Sequence, residues 1–176
     1  LIKTASEFGY ESKLLQSVED VNHAQKKVLV RKIKERFGED LSGRTFAAWG
    51  LAFKPDTDDM RESPAITILQ ELTAAGAKIH AYDPKAVGEA KECYLKGNEN
   101  ITYCDNKYEA LQEADALILI TEWKEFRSPD FYEIKRLLKE SVIFDGRNQY
   151  NEKRVKEYGI DYIQIGVCAA AGEVKS

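Results

Sequence analysis

Three basic side chains have the chemistry to bind an anionic group such as a phosphate. Lys54 and Arg61 lie in the long polar segment 50–64, and Arg147 follows an Asp-Gly turn further along the chain. The polar segment ends in Ser-Pro, which is a strong start signal for a helix. Cations beside the positive end of a helix are the components of an anion-binding site. An arginine can in addition hold a phosphate or carboxylate with two parallel hydrogen bonds.

Each of these cations has a structural alternative. Segment 50–64 also contains three aspartates at its centre, which are close enough in sequence to pair with Lys54 and Arg61. Arg147 could likewise pair with a surface acid. Spacing alone leaves both alternatives open, so ligand binding at these residues is a hypothesis at this point.

Asp83 and Trp123 follow two further apolar runs. A nicotinamide-binding fold carries an acid for the ribose at the place of Asp83, but Asp-Pro is also a turn initiator, and we favour the turn. Trp123 could stack on a ligand or could cap the sheet edge as part of the core. The fingerprint Gly-x-Gly-x-x-Gly, through which a dinucleotide-binding unit approaches a pyrophosphate, is absent from segment 50–64.

Strands and helices that alternate along the chain must position these groups. Short apolar runs such as Ala-Leu-Ile-Leu-Ile are typical of strands buried on both faces. The alternation predicts an α/β fold, a Rossmann-like doubly wound parallel sheet, whose ligands bind beyond the carboxyl ends of the strands. The predicted strands are 45–51, 77–82, 101–103, 116–120, 142–144 and 162–165, and the predicted helices are 64–75, 87–95, 107–113, 131–139 and 152–158.

Residues 1–38 have the pattern of a long helix that precedes the sheet. Gly9 breaks a short first segment, Ser12 is a plausible N-cap, and Gly38 is a good terminator. Apolar residues recur at helical spacing, so this helix needs a partner, either the missing part of a longer chain or a second subunit. Its basic residues are interspersed with acids, which favours a solvated helix face over a nucleic-acid patch.

The overall composition excludes several classes of function. A chain of 176 residues can form a core without disulfides or a structural metal. Its 26 Lys and Arg against 30 Asp and Glu give a net charge of -4, which argues against a nucleic-acid or anionic-membrane surface. No apolar run could span a bilayer, and no basic-then-apolar leader opens the chain. Because the chain starts with Leu1 rather than Met, inside a helical pattern, we expect it to be a piece of a longer polypeptide.

The cysteines and histidines do not form a metal-binding or catalytic pattern. Cys93, Cys104 and Cys168 are widely spaced, and His23 and His80 are the only histidines. We therefore expect no metal site and no cysteine–histidine dyad. Reduced, partly buried thiols are typical of a cytoplasmic protein, and the cytoplasm is the location that we predict.

Several stretches of the chain resemble the nucleotide-sugar dehydrogenases, the UDP-glucose/GDP-mannose dehydrogenase family. The most specific stretch is Gly-Leu-Ala-Phe-Lys-Pro-Asp-Thr-Asp-Asp-Met-Arg-Glu-Ser-Pro, at 50–64. The resemblance covers nearly the whole chain and leaves only the tail 169–176 unassigned. The other matching stretches are Val-Glu-Asp-Val-Asn-His-Ala-Gln at 18–25, Ala-Tyr-Asp-Pro at 81–84, Thr-Glu-Trp-Lys-Glu-Phe at 121–126 and Phe-Asp-Gly-Arg-Asn at 144–148.

The resemblance implies a division of the chain and a chemistry. Residues 1–40 are then a helical arm from the family's central dimerisation region, and residues 41–176 are a Rossmann-like UDP-binding domain. The family binds NAD in a separate N-terminal domain, forms a homodimer, and oxidises the C6 alcohol of the sugar in two hydride transfers. Its catalytic cysteine lies in a Gly-Gly-Ser-Cys-Phe-x-Lys-Asp context that this chain lacks. We therefore assign no catalytic residue here and predict that the chain alone is inactive.

The resemblance also implies roles for four residues. Phe53 and Lys54 match positions that contact the UDP-sugar, and Arg147 matches an arginine at the substrate. Arg61 matches a position that reaches the NAD bound by the other domain. UDP-glucose is the favoured substrate, with a UDP-N-acetylhexosamine dehydrogenase and a non-catalytic nucleotide-binding module as the alternatives.

Overall fold

A parallel sheet of six strands forms the centre of the computed structural model, which describes residues 12–167. The strand order is β3-β2-β1-β4-β5-β6, and every pairing is parallel. The direction of winding reverses between β1 and β4, as in a doubly wound fold, which confirms the predicted fold class. The strands are β1 (Thr45–Trp49), β2 (Lys78–Tyr82), β3 (Ile101–Tyr103), β4 (Ala116–Leu119), β5 (Val142–Asp145) and β6 (Asp161–Gln164).

Helices connect the strands and cover both faces of the sheet. Side chains cap several of them: Ser63 and Asn106, for example, each accept a hydrogen bond from a backbone N–H of the first helical turn. Every residue of β4 and β5 is buried, which explains why β4 is apolar throughout and β5 is apolar up to its last residue, Asp145. The helices are α1 (Lys13–Lys26), α2 (Val28–Phe37), α3 (Pro64–Ala74), α4 (Val87–Glu89), α5 (Lys107–Leu111), α6 (Phe131–Leu137) and α7 (Glu152–Glu157), with a 3-10 turn at Lys124–Phe126.

The predicted long N-terminal helix consists of two helices that meet at Lys27. No residue of α1 is buried, and Ser12 makes no side-chain capping bond. Helix α2 instead packs into the core through Leu29, Val30 and Ile33. The apolar residues of the arm therefore divide between two helices: those of α2 pack into the core of this same chain, which we did not predict, and those of α1 stay exposed. The predicted helical residues 1–11 with the break at Gly9, as well as Cys168 and the tail, lie outside the described residues.

The basic run of the arm is paired with acids. Lys26 lies 2.6 Å from Glu62, and Lys27 lies 2.7 Å from Glu71. The first pair joins the junction of α1 and α2 to the residues just before α3, and the second joins it to α3 itself. The run is therefore a charge-compensated helix face, as we predicted. The remaining cations of the run also have partners: Arg31 contacts Glu35, Lys34 contacts Glu39, Arg36 contacts Asp161, and Lys32 donates to the carbonyl of Val167.

The predicted helix 87–95 also differs in detail. Helix α4 ends at Glu89 and continues as a single π-helical stretch, Ala90–Tyr94. None of the helices within residues 12–167 is long and apolar enough to cross a membrane.

Candidate functional site

The loops after β1 and β4 touch where the winding of the sheet reverses. Gly50 has a φ of +91°, and a Cβ on this residue would lie 2.5 Å from the Cβ of Thr121. The buried Thr121 hydroxyl donates a hydrogen bond of 2.6 Å to the carbonyl of Ala52. Only a glycine permits this close approach, so the two loops are held together as one unit.

Segment 50–64 begins and ends in the core and bulges outward in between. At its base, the Ser63 hydroxyl donates to the carbonyl of Leu51 at 2.7 Å, and the backbone N–H of Phe53 donates to the carbonyl of Asp59 at 2.8 Å. This closure directs Phe53 and Lys54 outward. Phe53 leaves 45% of its surface exposed, which is high for an aromatic residue, and Lys54 is exposed as well.

Arg147 spans the loops of three strands. Its Nε donates to the carbonyl of Ile120 at 2.8 Å, and its Nη2 lies 3.3 Å from the carbonyl of Phe53. The same Nε is 2.8 Å from a carboxylate oxygen of Glu122. The structure therefore brings Arg147 and Phe53 together, as their predicted common role requires. The surface acid that we gave as the alternative partner is also present, in the form of Glu122.

A buried carboxylate fixes the loop that carries Arg147. Asp145 is fully buried and accepts hydrogen bonds from the backbone N–H groups of Arg147 at 2.7 Å and Gln149 at 2.8 Å. The Tyr162 hydroxyl donates to the same carboxylate at 2.6 Å. Burial and the neighbouring Asp145 raise the pKa of Tyr162, so this hydroxyl stays protonated and remains a donor. The position of Arg147 is thus set by the core.

Two further lysines reach the same edge of the sheet. The Nζ of Lys85 lies 3.3 Å from the carbonyl of Asp56, and the Nζ of Lys124 lies 3.9 Å from its carboxylate. Together with Lys54 and Arg147 they form what we call the cationic rim. We did not predict Lys85 or Lys124, although their positions just after β2 and β4 were a usable signal.

Arg61 is engaged differently. Its guanidinium makes a two-point contact with Asp59, with Nη2 2.8 Å from Oδ2 and Nε 3.0 Å from Oδ1. The hydrogen bonds from Arg61 lower the pKa of Asp59 to about 2. The pairing of a cation with a loop aspartate, which we held open as an alternative, therefore occurs at Arg61. Its side chain is still 80% exposed and points away from the core.

Asp83 begins a turn, as predicted, and does more. Its Oδ1 accepts the backbone N–H groups of Lys85 at 2.9 Å and Ala86 at 2.8 Å, which is a turn-initiating geometry. Its Oδ2 accepts the indole N–H of the buried Trp123 at 3.0 Å and two backbone N–H groups of the loop after β1. Trp123 is thus part of the core, the second of the two roles that we considered for it.

The described residues bring several cations to one edge of the sheet, and the two described cysteines are not activated. Burial raises the pKa of Cys104 to about 11 and also raises that of Cys93, so neither thiol is an activated nucleophile at neutral pH. Between residues 12 and 167, no group of three histidine, cysteine or acidic side chains could hold a metal ion. What the arrangement can do is hold a phosphorylated ligand against the cationic rim.

Comparison with known proteins places the chain in a family. The family model described as "UDP-glucose/GDP-mannose dehydrogenase family, UDP binding domain" matches residues 47–152. A UDP-glucose 6-dehydrogenase of Pseudomonas aeruginosa is 42% identical over 168 residues, which are 94% of this chain and 37% of the relative. The corresponding enzyme of Rhizobium meliloti is 40% identical, again over 94% of this chain and 37% of its own length.

Solved structures agree. A UDP-glucose dehydrogenase from the archaeon Pyrobaculum islandicum superimposes with a TM-score of 0.74 at 30% identity, covering 96% of this chain and 35% of that one. An NDP-N-acetyl-D-galactosaminuronic acid dehydrogenase from Methanosarcina mazei superimposes with a TM-score of 0.65 at 28% identity, covering 81% and 29%. The chain spans between 29% and 37% of the length of these relatives, and it belongs to the UDP-glucose/GDP-mannose dehydrogenase family as a representative of its UDP binding domain.

Proposed function

We propose that the chain is the UDP-sugar-binding portion of an NAD-dependent UDP-glucose 6-dehydrogenase, which converts UDP-glucose to UDP-glucuronate in two hydride transfers. The observation that carries this proposal is the geometry of Arg147. Its Nε edge is tied to Ile120 and Glu122, whereas its Nη1 has no partner among residues 12–167. A guanidinium held through Nε and Nη2 and free at Nη1 is preorganised to donate to a phosphate oxygen.

The neighbours of Arg147 complete the proposed site. Phe53 offers an exposed apolar ring within one residue of Lys54, and its carbonyl lies beside the guanidinium. A uridine diphosphate combines a flat ring with two phosphates, so it suits an aromatic surface flanked by cations. We assign Phe53, Lys54 and Arg147 to substrate binding on this basis, with residues 41–176 as the UDP-binding domain.

NAD belongs to the same proposal, but the first strand-to-helix turn of this chain does not fit it. The backbone donors that would meet a pyrophosphate there are already bonded to Asp83. We therefore propose that another domain holds NAD, which accepts the hydride when bound, and that the exposed Arg61 reaches toward it. The chain alone is then inactive, since the described residues contain no activated thiol.

A homodimer is also part of the proposal. Helix α1 exposes Leu14 and Val21 to 79% and 66%, together with Leu15 and Val18, so an apolar face of the arm stands open. We assign residues 1–40 to a helical arm that a second copy covers. A cytoplasmic location is supported by the free thiols of Cys93 and Cys104.

The identity of the sugar is the finer question. The similarity to UDP-glucose dehydrogenases at 42% identity supports UDP-glucose. The Methanosarcina mazei structure supports the alternative, a UDP-N-acetylhexosamine dehydrogenase, at a lower identity of 28%. A non-catalytic nucleotide-binding module is the third alternative.

Calorimetric titration of the chain with UDP, UDP-glucose, UDP-N-acetylglucosamine and NAD tests the proposal. We expect the three uridine nucleotides to bind through their common diphosphate and NAD to show no heat of binding. Tight binding of NAD, or no binding of UDP, would contradict it. Formation of NADH from UDP-glucose by the chain alone would contradict the predicted inactivity.

A further inference from the structure

The first strand-to-helix turn of a doubly wound sheet is where a dinucleotide-binding domain presents free backbone N–H groups to a pyrophosphate. In this chain the corresponding groups have partners within the fold. The N–H groups of Leu51 and Ala52, directly after β1, donate to Oδ2 of Asp83 at 2.7 and 3.0 Å. The next N–H, that of Phe53, donates to the carbonyl of Asp59. The strand end therefore has no free donor.

The start of α3 has no free donor for a phosphate either. The N–H of Ser63 donates to the carbonyl of Met60 at 2.9 Å, and Pro64 has no N–H. The N–H of Ala65 is capped by the Ser63 hydroxyl at 3.2 Å. A helix start that would attract an anion in a dinucleotide-binding fold is therefore satisfied internally.

Both carboxylate oxygens of Asp83 accept hydrogen bonds from within the fold. Asp83 is 3% exposed, and the indole N–H of Trp123 is a third donor to Oδ2. The backbone N–H groups of Lys85 and Ala86 occupy Oδ1. The carboxylate thus receives hydrogen bonds from three separate loops of the carboxyl edge, after β1, β2 and β4.

We propose that Asp83 is a resident anion that takes the pyrophosphate position of the fold and excludes a dinucleotide from this domain. A carboxylate attached to the fold competes with a free phosphate at a high effective concentration. A second negative charge buried beside it is strongly disfavoured. The diphosphate of a uridine nucleotide is then directed to the cationic rim. That last step rests on the proposed function, whereas the exclusion itself does not.

Replacing Asp83 by alanine tests whether its carboxylate occupies an anion position that these donors create. The Asp83→Ala variant has a small space lined by the N–H groups of Leu51, Ala52 and Trp123. If the carboxylate stands in for an anion, added formate or inorganic phosphate refills that space. We expect formate to raise the Tm of Asp83→Ala by about 2–4 °C and to leave the unmodified chain unchanged, relative to sodium chloride at equal ionic strength.

Two variants serve as controls. Leu69→Ala in α3 removes a fully buried side chain without exposing an N–H group, so formate should not stabilise it beyond the salt control. Asp83→Asn fills the space but places an amide N–H₂ among donors, so it should be destabilised and should not respond to formate. An equal response of all three variants, or no response of Asp83→Ala, would overturn the proposal.

A variant that does not fold still gives an answer. If Asp83→Ala is unfolded in buffer, its circular dichroism is followed during the formate titration, and recovery of helix with formate but not with chloride supports the proposal. Failure to recover overturns it. These measurements contain no UDP, so they are independent of the calorimetric test above. Formate rescue without UDP binding would remove the proposed function and leave the role of Asp83 standing.

Discussion

Two buried carboxylates at the same edge of the sheet have opposite consequences. Asp83 and Asp145 are 3% and 0% exposed, and both accept backbone N–H groups from the residues that follow them. Asp83 also draws in the N–H groups of the neighbouring loop after β1 and so closes that turn to ligands. Asp145 instead binds Tyr162 behind it, and the side chain of Arg147 is left facing outward.

The comparison shows that the donors bound by a buried carboxylate decide whether the neighbouring loop keeps free groups for a ligand. Asp83 accepts hydrogen bonds from backbone N–H groups that a ligand could otherwise bind. Asp145 accepts hydrogen bonds from its own loop and from Tyr162 in β6. Substitutions at four residues test this comparison. In order of decreasing expected effect they are at Asp145, Arg147, Lys54 and Arg61.

Asp145→Ala should have the largest effect, a loss of about 3–5 kcal/mol in the free energy of unfolding. The substitution leaves two partly buried backbone N–H groups without their acceptor and leaves the buried Tyr162 hydroxyl with only the carbonyl of Tyr150. Urea denaturation measures the loss, and UDP affinity of the folded fraction should fall as well. Tyr162→Phe removes the hydrogen bond from the Tyr162 hydroxyl to Asp145 and should cost about 1–2 kcal/mol. If Tyr162→Phe is as unstable as Asp145→Ala, the bonds from the Asp145 loop are not what Asp145 mainly stabilises.

Arg147→Ala should weaken UDP binding by about 30- to 100-fold, because a charge-assisted hydrogen bond from a preorganised guanidinium is lost. The variant should also lose some stability, because the guanidinium contacts the carbonyls of Ile120 and Phe53 and the carboxylate of Glu122. Arg154→Ala, on the exposed face of α7, is the matched control and should bind UDP normally. Calorimetry compares the two, and equal affinities would remove Arg147 from the site.

Lys54→Ala should weaken UDP binding by about 5- to 10-fold and make the remaining affinity less dependent on salt. An exposed ammonium contributes through a screened charge rather than a fixed hydrogen-bond pair. Titrations at low and high ionic strength measure the slope, with Lys153→Ala as the surface control. An unchanged slope would mean that Lys54 does not face the phosphates.

Arg61→Ala should have the smallest effect on the sugar nucleotide. In an enzyme that includes the NAD-binding domain, we expect the KM for NAD to rise more than the KM for UDP-glucose. Steady-state kinetics with each substrate varied in turn decide this. If the KM for UDP-glucose rises more than the KM for NAD, Arg61 acts on the substrate instead.

The strands could be predicted from the sequence almost to the residue, whereas the break in the arm could not. The run 116–120 coincides with Ala116–Leu119 because a strand buried on both faces has to be apolar throughout. The helix junction at Lys27 has no local signal, since lysine is a good helix former. The contacts at that junction, with Glu62 and Glu71, involve residues more than thirty positions away, which periodicity does not register.

Only part of the candidate site could be predicted from the sequence: Arg147 and Lys54 were predicted, whereas Lys85 and Lys124 were not. Arg147 and Lys54 follow strand ends, and the sheet brings strand ends together. The sequence did not predict that Asp83 also binds the loop after β1. Its partners there are backbone N–H groups, which nearly every residue type has, so the residue types gave no signal. The pair Arg61–Asp59 was foreseen only as one of two alternatives, since spacing alone does not determine which way a surface cation turns.

The all-parallel sheet has a consequence for how the chain assembles its candidate binding edge. Thr45 and Asp115, which are hydrogen-bonded where β1 meets β4, are 70 residues apart in the chain. No hairpin can nucleate such a sheet, and contacts of this separation form slowly. The seam between β1 and β4 also carries Phe53 and the carbonyl that anchors Arg147. Recovery of nucleotide affinity should therefore be among the last events of refolding, which makes UDP binding a reporter of the completed sheet.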